Sequence, residues 1–352
     1  MLKRPTVFVI GAGAGVDVGM PVGSTLSAEI GEKLDLRYGD TDEGHGRISG
    51  HPEIEAALRR YARTRNSNYN DWRAAGTMIK SGAPYAGSID NFVNSHRDND
   101  KLAVCAKVGI VHTILEYEKN SALFREKSVP NAFRDDDEVK RSWLGDLMRM
   151  LVDDIAVADL KGIFNNLCII NFNYDRCVEH FLFHAIQEWS LRGEGVVGPL
   201  FESLKIFHPY GVVGLLSWQR SQTKPRVDFG GSSYGEDDLL GLIEGIKTYH
   251  ESIKEGDELF SMREELWKAQ QVIFLGFHFH KQNMDLLIVP EDARPRVPWA
   301  YATVVNRPSA DVKAIKTTIS RTLHMKPEGE FIETANGDCK KLFFEHRSTW
   351  LA

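Results

Sequence analysis

The sequence predicts an α/β fold built on a doubly wound parallel sheet, with a large helical insertion after the first strand and helix. Three observations carry this. Continuous apolar runs such as Val7-Phe8-Val9-Ile10 and Cys168-Ile169-Ile170 mark strands buried on both faces, since a half-exposed strand would alternate apolar and polar residues. Helix-patterned segments separate these runs, the order expected when parallel strands are joined by crossover helices. The first run also enters the turn Gly11-Ala12-Gly13-Ala14-Gly15, and a helix follows, which makes the expected sheet Rossmann-like.

Taken in order, residues 6–10 form the first strand and residues 24–30 the first helix. From residue 32 to about 160 the pattern changes. It opens polar and glycine-rich at 39–50, then runs through helix-like segments at 54–63, 104–117 and 143–156 without a convincing buried strand. This helical insertion is expected to regulate or assemble rather than catalyse. Its acidic run at 134–138 reads as a solvated loop or helix start. Strands return at 167–172, 204–207, 271–276 and 301–305, with helical segments at 177–190, 238–253 and 261–269. Residues 1–31 and 161–320 therefore form the expected core, and 321–352 a C-terminal extension.

The net charge of −6 and pI of about 6.1 give no overall basic character, so direct nucleic-acid binding is not evident. The four cysteines, Cys105, Cys168, Cys177 and Cys339, include no Cys-x-x-Cys pair. That argues against a four-thiolate zinc site, and no metal is expected. Cys168 and Cys177 read as small core residues. The apolar run behind Lys3-Arg4 superficially resembles a signal peptide, but it is short and soon meets the glycine turn and Asp17. No apolar stretch approaches the roughly 18 residues of a membrane span, and the expectation is a cytoplasmic protein.

A glycine turn between a buried strand and a helix suits a phosphate group: the backbone approaches closely, and the helix start offers N–H groups and partial positive charge. A tight turn without a ligand would read the same way. The spacing departs from the dehydrogenase fingerprint, because Val16 stands where the third glycine belongs and no acidic strand end follows about twenty residues on. Hydride transfer is therefore disfavoured.

Three segments together resemble the sirtuin superfamily. Gly11-Ala12-Gly13-Ala14-Gly15, with Gly19-Met20-Pro21 downstream, is similar to that family's Gly-Ala-Gly-x-Ser turn and Gly-Ile-Pro. Asn171-Phe172-Asn173-Tyr174-Asp175 resembles its Thr-Gln-Asn-Ile-Asp, and more closely the Thr-Phe-Asn-Tyr-Asp of sirtuin-like NAD+ hydrolases from bacterial anti-phage defence. Phe274-Leu275-Gly276-Phe277-His278-Phe279, continuing to Gln282-Asn283, resembles a strand end recurrent in those hydrolases. The resemblance spans about 5–25 and 165–310.

It implies that NAD+ is the substrate, with Gly11, Ala12, Gly13, Gly15, Pro21, Tyr210, Gly211, Gly276, Phe277 and Asn283 around it. Asn173 would orient the ribose and the attacking water, and Asp175 would shape the nicotinamide pocket; both residue types also favour turns and helix caps. Cleavage builds oxocarbenium character on the ribose, so a held ribose, a positioned water and a base are what help. The family's base is a histidine in a His-Gly pair, but here the segment reads His208-Pro209-Tyr210-Gly211. His208 is favoured because imidazole titrates near neutrality, with Tyr210 as a ribose hydrogen-bond donor the alternative. His278 and His280 read as packing or pocket-lining residues.

The deacylases' Pro-Asp-Phe-Arg is replaced by Pro21-Val22-Gly23-Ser24, and their four-cysteine module is missing; water then becomes the expected nucleophile. The leading expectation is an NAD+ glycohydrolase acting as a toxic effector. An NAD-dependent protein deacylase and a non-catalytic NAD or ADP-ribose sensor are the alternatives. The resemblance further implies control by homo-oligomerisation or by a partner such as a DNA-translocating ATPase or a short Argonaute.

Overall fold

In a computed structural model the described residues are 2–41, 44–126, 132–221, 224–231, 236–254, 256–288, 297–325 and 331–352. The apolar runs form the strands that their composition calls for. β1 (Thr6–Ile10) is buried along its whole length. A short antiparallel hairpin, β2 (Tyr38–Thr41) and β3 (Gly44–Arg47), lies apart from the main sheet. β4 (Leu167–Asn171), β5 (Lys205–Phe207), β6 (Gln271–Leu275), β7 (Trp299–Thr303) and β8 (Phe331–Ala335) complete the set.

The main sheet has the order β5-β4-β1-β6-β7-β8, and every pairing is parallel. This is the Rossmann order, in which the chain works outward from β1 in one direction and then restarts on β1's other side. The three central strands end level: Ile10 lies opposite Asn171 on one side and Leu275 on the other. Their loops consequently leave the sheet at one height, at the topological switch point where such sheets bind ligands.

The stretch 321–352, set apart above as an extension, is part of this sheet. It supplies the edge strand β8 and the helix Cys339–Leu351. That helix lays Phe343 and Trp350 on Phe8 of the central strand, with ring centroids 6.0 and 6.1 Å away.

The insertion is largely helical, and hairpin β2–β3 falls in its glycine-rich opening. The first helix, Gly23–Leu34, runs past the expected boundary and packs with Tyr69–Gly82 and Asp100–Asn120. The acidic run begins a helix, as one of its two readings held: Asp135 caps Asp136–Arg141 by accepting from the Glu138 N–H at 2.8 Å. All four cysteines are buried free thiols. Among the described residues no helix is long and apolar enough to cross a membrane.

A buried ion pair ties the insertion to the core. Arg176, at the head of the helix Cys177–Ser190, and Glu118, near the end of Asp100–Asn120, are almost completely buried and joined through both Glu118 oxygens. Glu118 also accepts from the backbone N–H groups of Arg176 and Gly230. The guanidinium donates in turn to the carbonyls of Val227 and Asp228.

Candidate active site

The loops after β1, β4 and β6 enclose a cavity of about 480 Å³ at the switch point. This lies within the range of about 300–1,000 Å³ usual for small-molecule sites. Gly11, Ala12, Gly13 and Pro21 line it from the first loop, and Asn173 and Asp175 from the second. Tyr210, Gly276, Phe277 and Asn283 close it from the segments that follow β5 and β6. Gly15, Gly211 and His208 are not in its wall.

The glycine turn owes its composition first to packing. A Cβ on Gly13 would stand 2.9 Å from the Gly276 Cα, and one on Gly11 would stand 2.7 Å from the Gly276 carbonyl oxygen. The two loops therefore touch backbone to backbone, with Gly276 itself at φ +56. The N–H groups of Gly11 and Gly13 donate to the carbonyls of Leu275 and Gly276, and that of Ala14 donates to Gly11. Ala12 carries the N–H that none of these bonds uses. Gly15 sits against Met20, away from the cavity.

Asn173 is held from two sides. Its backbone N–H donates to the side-chain oxygen of the fully buried Asn171 at 3.0 Å. Its side-chain NH₂ donates to the Gly11 carbonyl at 3.2 Å. The amide is thereby fixed beside the glycine turn, and its oxygen is the end left for a ligand. Asp175 accepts from the Cys177 N–H at 3.0 Å, which is helix-cap chemistry. Burial nonetheless pushes its carboxyl up to about 6.

The segment after β5 departs from the expectation for His208. The chain turns tightly, with the Gly211 N–H donating to the His208 carbonyl at 2.9 Å. Gly211 sits at φ +75, and a Cβ there would collide with the Gly245 carbonyl oxygen at 1.9 Å. This turn delivers Tyr210 to the cavity, where its hydroxyl donates to the Asn283 side-chain oxygen at 2.7 Å. His208 turns away instead. Its Nε2 lies 2.8 Å from Glu179 and its Nδ1 3.4 Å from the Asn173 carbonyl. Burial would lower its pKa, but the adjacent Glu179 carboxylate outweighs that and raises it. Both ring nitrogens are occupied, so the geometry suits His208 to supporting the Asn173 loop rather than to taking a proton in the cavity. The phenol of Tyr210 is pushed far up by burial, so it is a donor and not a base.

Two charged wall residues were missed from the sequence. Asp90 comes from the insertion, where Gly87–Asn91 reach the cavity. Its carboxylate accepts from the Tyr174 hydroxyl. Burial pushes its pKa up to about 6 against the lowering effect of that bond. Arg307 follows β7, and its guanidinium is 2.9 Å from the His278 Nε2. His278 and His280 line the same rim, stacked with centroids 4.3 Å apart, and burial lowers the pKa of each. Arg307 was readable, because it lies just past the carboxyl end of a strand already recognised. Asp90 carried no motif.

The wall thus combines a fixed amide, two carboxylates of raised pKa, one arginine and an aromatic floor in which Phe172 meets Phe277 at 5.1 Å and Tyr210 at 5.9 Å. Such a set can hold a flat ring, an anion and a positioned water. In comparisons with known proteins, no family model and no curated protein matches the chain.

Proposed function

We propose that the chain binds NAD+ in the switch-point cavity and hydrolyses its nicotinamide–ribose bond. The observation that carries this reading is the pinned Asn173 amide, held against the glycine turn in a wall that also contains two carboxylates of raised pKa, at the place where a Rossmann-type sheet takes a dinucleotide. The C–N bond breaks with its electron pair going to the ring nitrogen, so nicotinamide leaves neutral and needs no acid. A water oxygen bonds to the anomeric carbon, and its proton passes to a base.

Asp90 fits the base better than His208, since it lies in the wall and titrates at about 6, close to working pH. Asn173 positions the ribose and the water, Asp175 borders the nicotinamide, and Arg307 with the Ala12 N–H faces the phosphates. A role as a toxic effector in anti-phage defence, restrained by self-assembly or by a partner ATPase or short Argonaute, rests on the sirtuin resemblance alone.

The test is release of nicotinamide from NAD+ by the pure chain. Asn173→Ala should slow it by at least about a hundredfold while keeping the affinity for NAD+. Near wild-type turnover in that variant would sink the assignment. A second reading, a non-catalytic nucleotide sensor, is favoured by the absence of His208 from the wall; it predicts NAD+ or ADP-ribose binding with no nicotinamide released.

A further inference from the structure

On the insertion, behind the helix Asp100–Asn120, three potential metal ligands come together from two segments. His51 directly precedes the helix Pro52–Thr64, Glu53 lies in that helix's first turn, and His112 sits midway along Asp100–Asn120. The two imidazole centroids are 4.0 Å apart, and a Glu53 oxygen is 3.3 Å from the His112 Nε2. One ligand atom from each of the three residues lies within 4.8 Å of the others. Ligands about 2.1 Å from a tetrahedral ion stand about 3.4 Å apart. One edge already matches that spacing, no edge need contract by more than about 1.4 Å, and the exposed Glu53 carboxylate can adjust.

A packing role for the histidines leaves something unexplained. The Nδ1 atoms of both His51 and His112 are buried with no hydrogen-bond partner. A buried polar atom left unmatched costs about 1–3 kcal/mol; an ion bound through the Nδ1 of His51 would remove that cost there, while His112 offers its Nε2 beside Glu53. The backbone around His51 is also fixed beforehand: its N–H donates to the Lys33 carbonyl at 2.9 Å, and its carbonyl accepts from Glu55 at 3.0 Å.

We propose that His51, His112 and Glu53 bind one divalent transition-metal ion, with zinc the fitting metal, and that the ion clamps the helix Pro52–Thr64 to Asp100–Asn120. Two imidazoles and a carboxylate match zinc's preferred donors, whereas magnesium and calcium want oxygen sets. The fourth position falls to water, because Glu116, one turn beyond His112, is already paired with Lys33. The bound helix also walls the active-site cavity through Ile114, so the ion stiffens that wall from behind and takes no part in the chemistry.

The experiment uses the full chain, free of any affinity tag and stripped with a chelator, then titrated with Zn²⁺ in a calorimeter. One zinc per chain is expected, with a higher melting temperature and no response to Mg²⁺. Cobalt(II) should give the visible absorption of a four-coordinate site. Glu53→Gln and His51→Ala, shown to be folded by circular dichroism, should each weaken zinc binding by at least tenfold. His278→Ala, at a separate histidine pair, should leave zinc binding unchanged. No stoichiometric zinc, or equal zinc affinity in the folded Glu53→Gln and His51→Ala variants, overturns the proposal. None of these readouts depends on NAD+ turnover.

Discussion

Replacing Glu118 with alanine tests how firmly the insertion is built into the core. The substitution removes both carboxylate oxygens from Arg176 and leaves the backbone N–H groups of Arg176 and Gly230 without acceptors. The guanidinium keeps only the Val227 and Asp228 carbonyls, in a site where it is about 1% exposed. Breaking a buried pair from one side costs about 3–5 kcal/mol, because the remaining charge stays desolvated. Unfolding entropy of about 2.1 cal/mol/K per residue, over 352 residues, amounts to about 0.74 kcal/mol/K. The melting temperature should therefore fall by about 4–7 °C. Glu118→Gln keeps one acceptor oxygen and should lose clearly less. Differential scanning calorimetry reads both. A drop below about 1 °C for the alanine variant would mean that water reaches Arg176 or that the pair contributes nothing, and the account of how the insertion is anchored would fail.

His208→Ala should slow nicotinamide release by up to about a hundredfold through the displaced Asn173 loop, yet keep the acid limb of the pH profile; a limb that vanished with His208 would restore it as the base. That limb should lie near pH 6 in kcat/KM, since burial raises Asp90 and Asp175 to about 6 and activity is lost as they protonate; a limb near 4 would exclude both. Because His208 is raised by Glu179, its pairing stabilises the fold fully below about pH 6.5, and that stability fades as pH climbs through the folded value. The melting-temperature advantage of the wild type over His208→Gln should accordingly shrink from about pH 6.5 upward, and a gap that grows contradicts the pairing. Gly13→Val should destabilise the fold by about 1–3 kcal/mol through its contact with Gly276; an unchanged melting temperature would show that the two loops can part freely.

The central strands were legible because burial on both faces leaves an unbroken apolar run, as in Val7 to Ile10 and Ile169 to Ile170. The edge was not. Phe331-Ile332-Glu333-Thr334-Ala335 is exposed along much of its length, so it has no such run and was left in an extension. The glycine turn was legible as a turn, but its meaning shifted: the contact that demands Gly13 is with Gly276, over 250 residues away, and spacing alone cannot distinguish backbone packing from phosphate approach. Asn173 and Asp175 were legible through the resemblance of their motif to that of sirtuins, and the motif follows a buried strand. Tyr210 and His208 were both visible, and only the turn closed by Gly211 decides which one reaches the cavity. Asp90 and the His51–His112 pair were out of reach, because helix packing within the insertion brings them to their places.

Asp90 gives the insertion a place in the wall of the candidate site. Read from the sequence it was a regulator or an assembly surface, yet it contributes one of the two wall carboxylates, held by the hydroxyl of Tyr174 next to Asn173. Under the NAD+ hydrolase reading, binding and proton removal then belong to different parts of the chain. The core carries the glycine turn, Asn173 and Arg307, and the insertion carries the base. Asp90→Asn tests this division, because it keeps the size and the acceptor for Tyr174 but cannot take a proton. Turnover should fall by about a hundredfold or more, the scale of a lost general base, while NAD+ affinity stays within a few-fold of wild type. Asp175→Asn gives the contrast: it stays a helix-cap acceptor but borders the nicotinamide, so its larger effect should be on binding. Were affinity and turnover to fall together in Asp90→Asn, Asp90 would be a binding residue. Were turnover to survive, the base would lie elsewhere and the insertion would be a wall without chemistry.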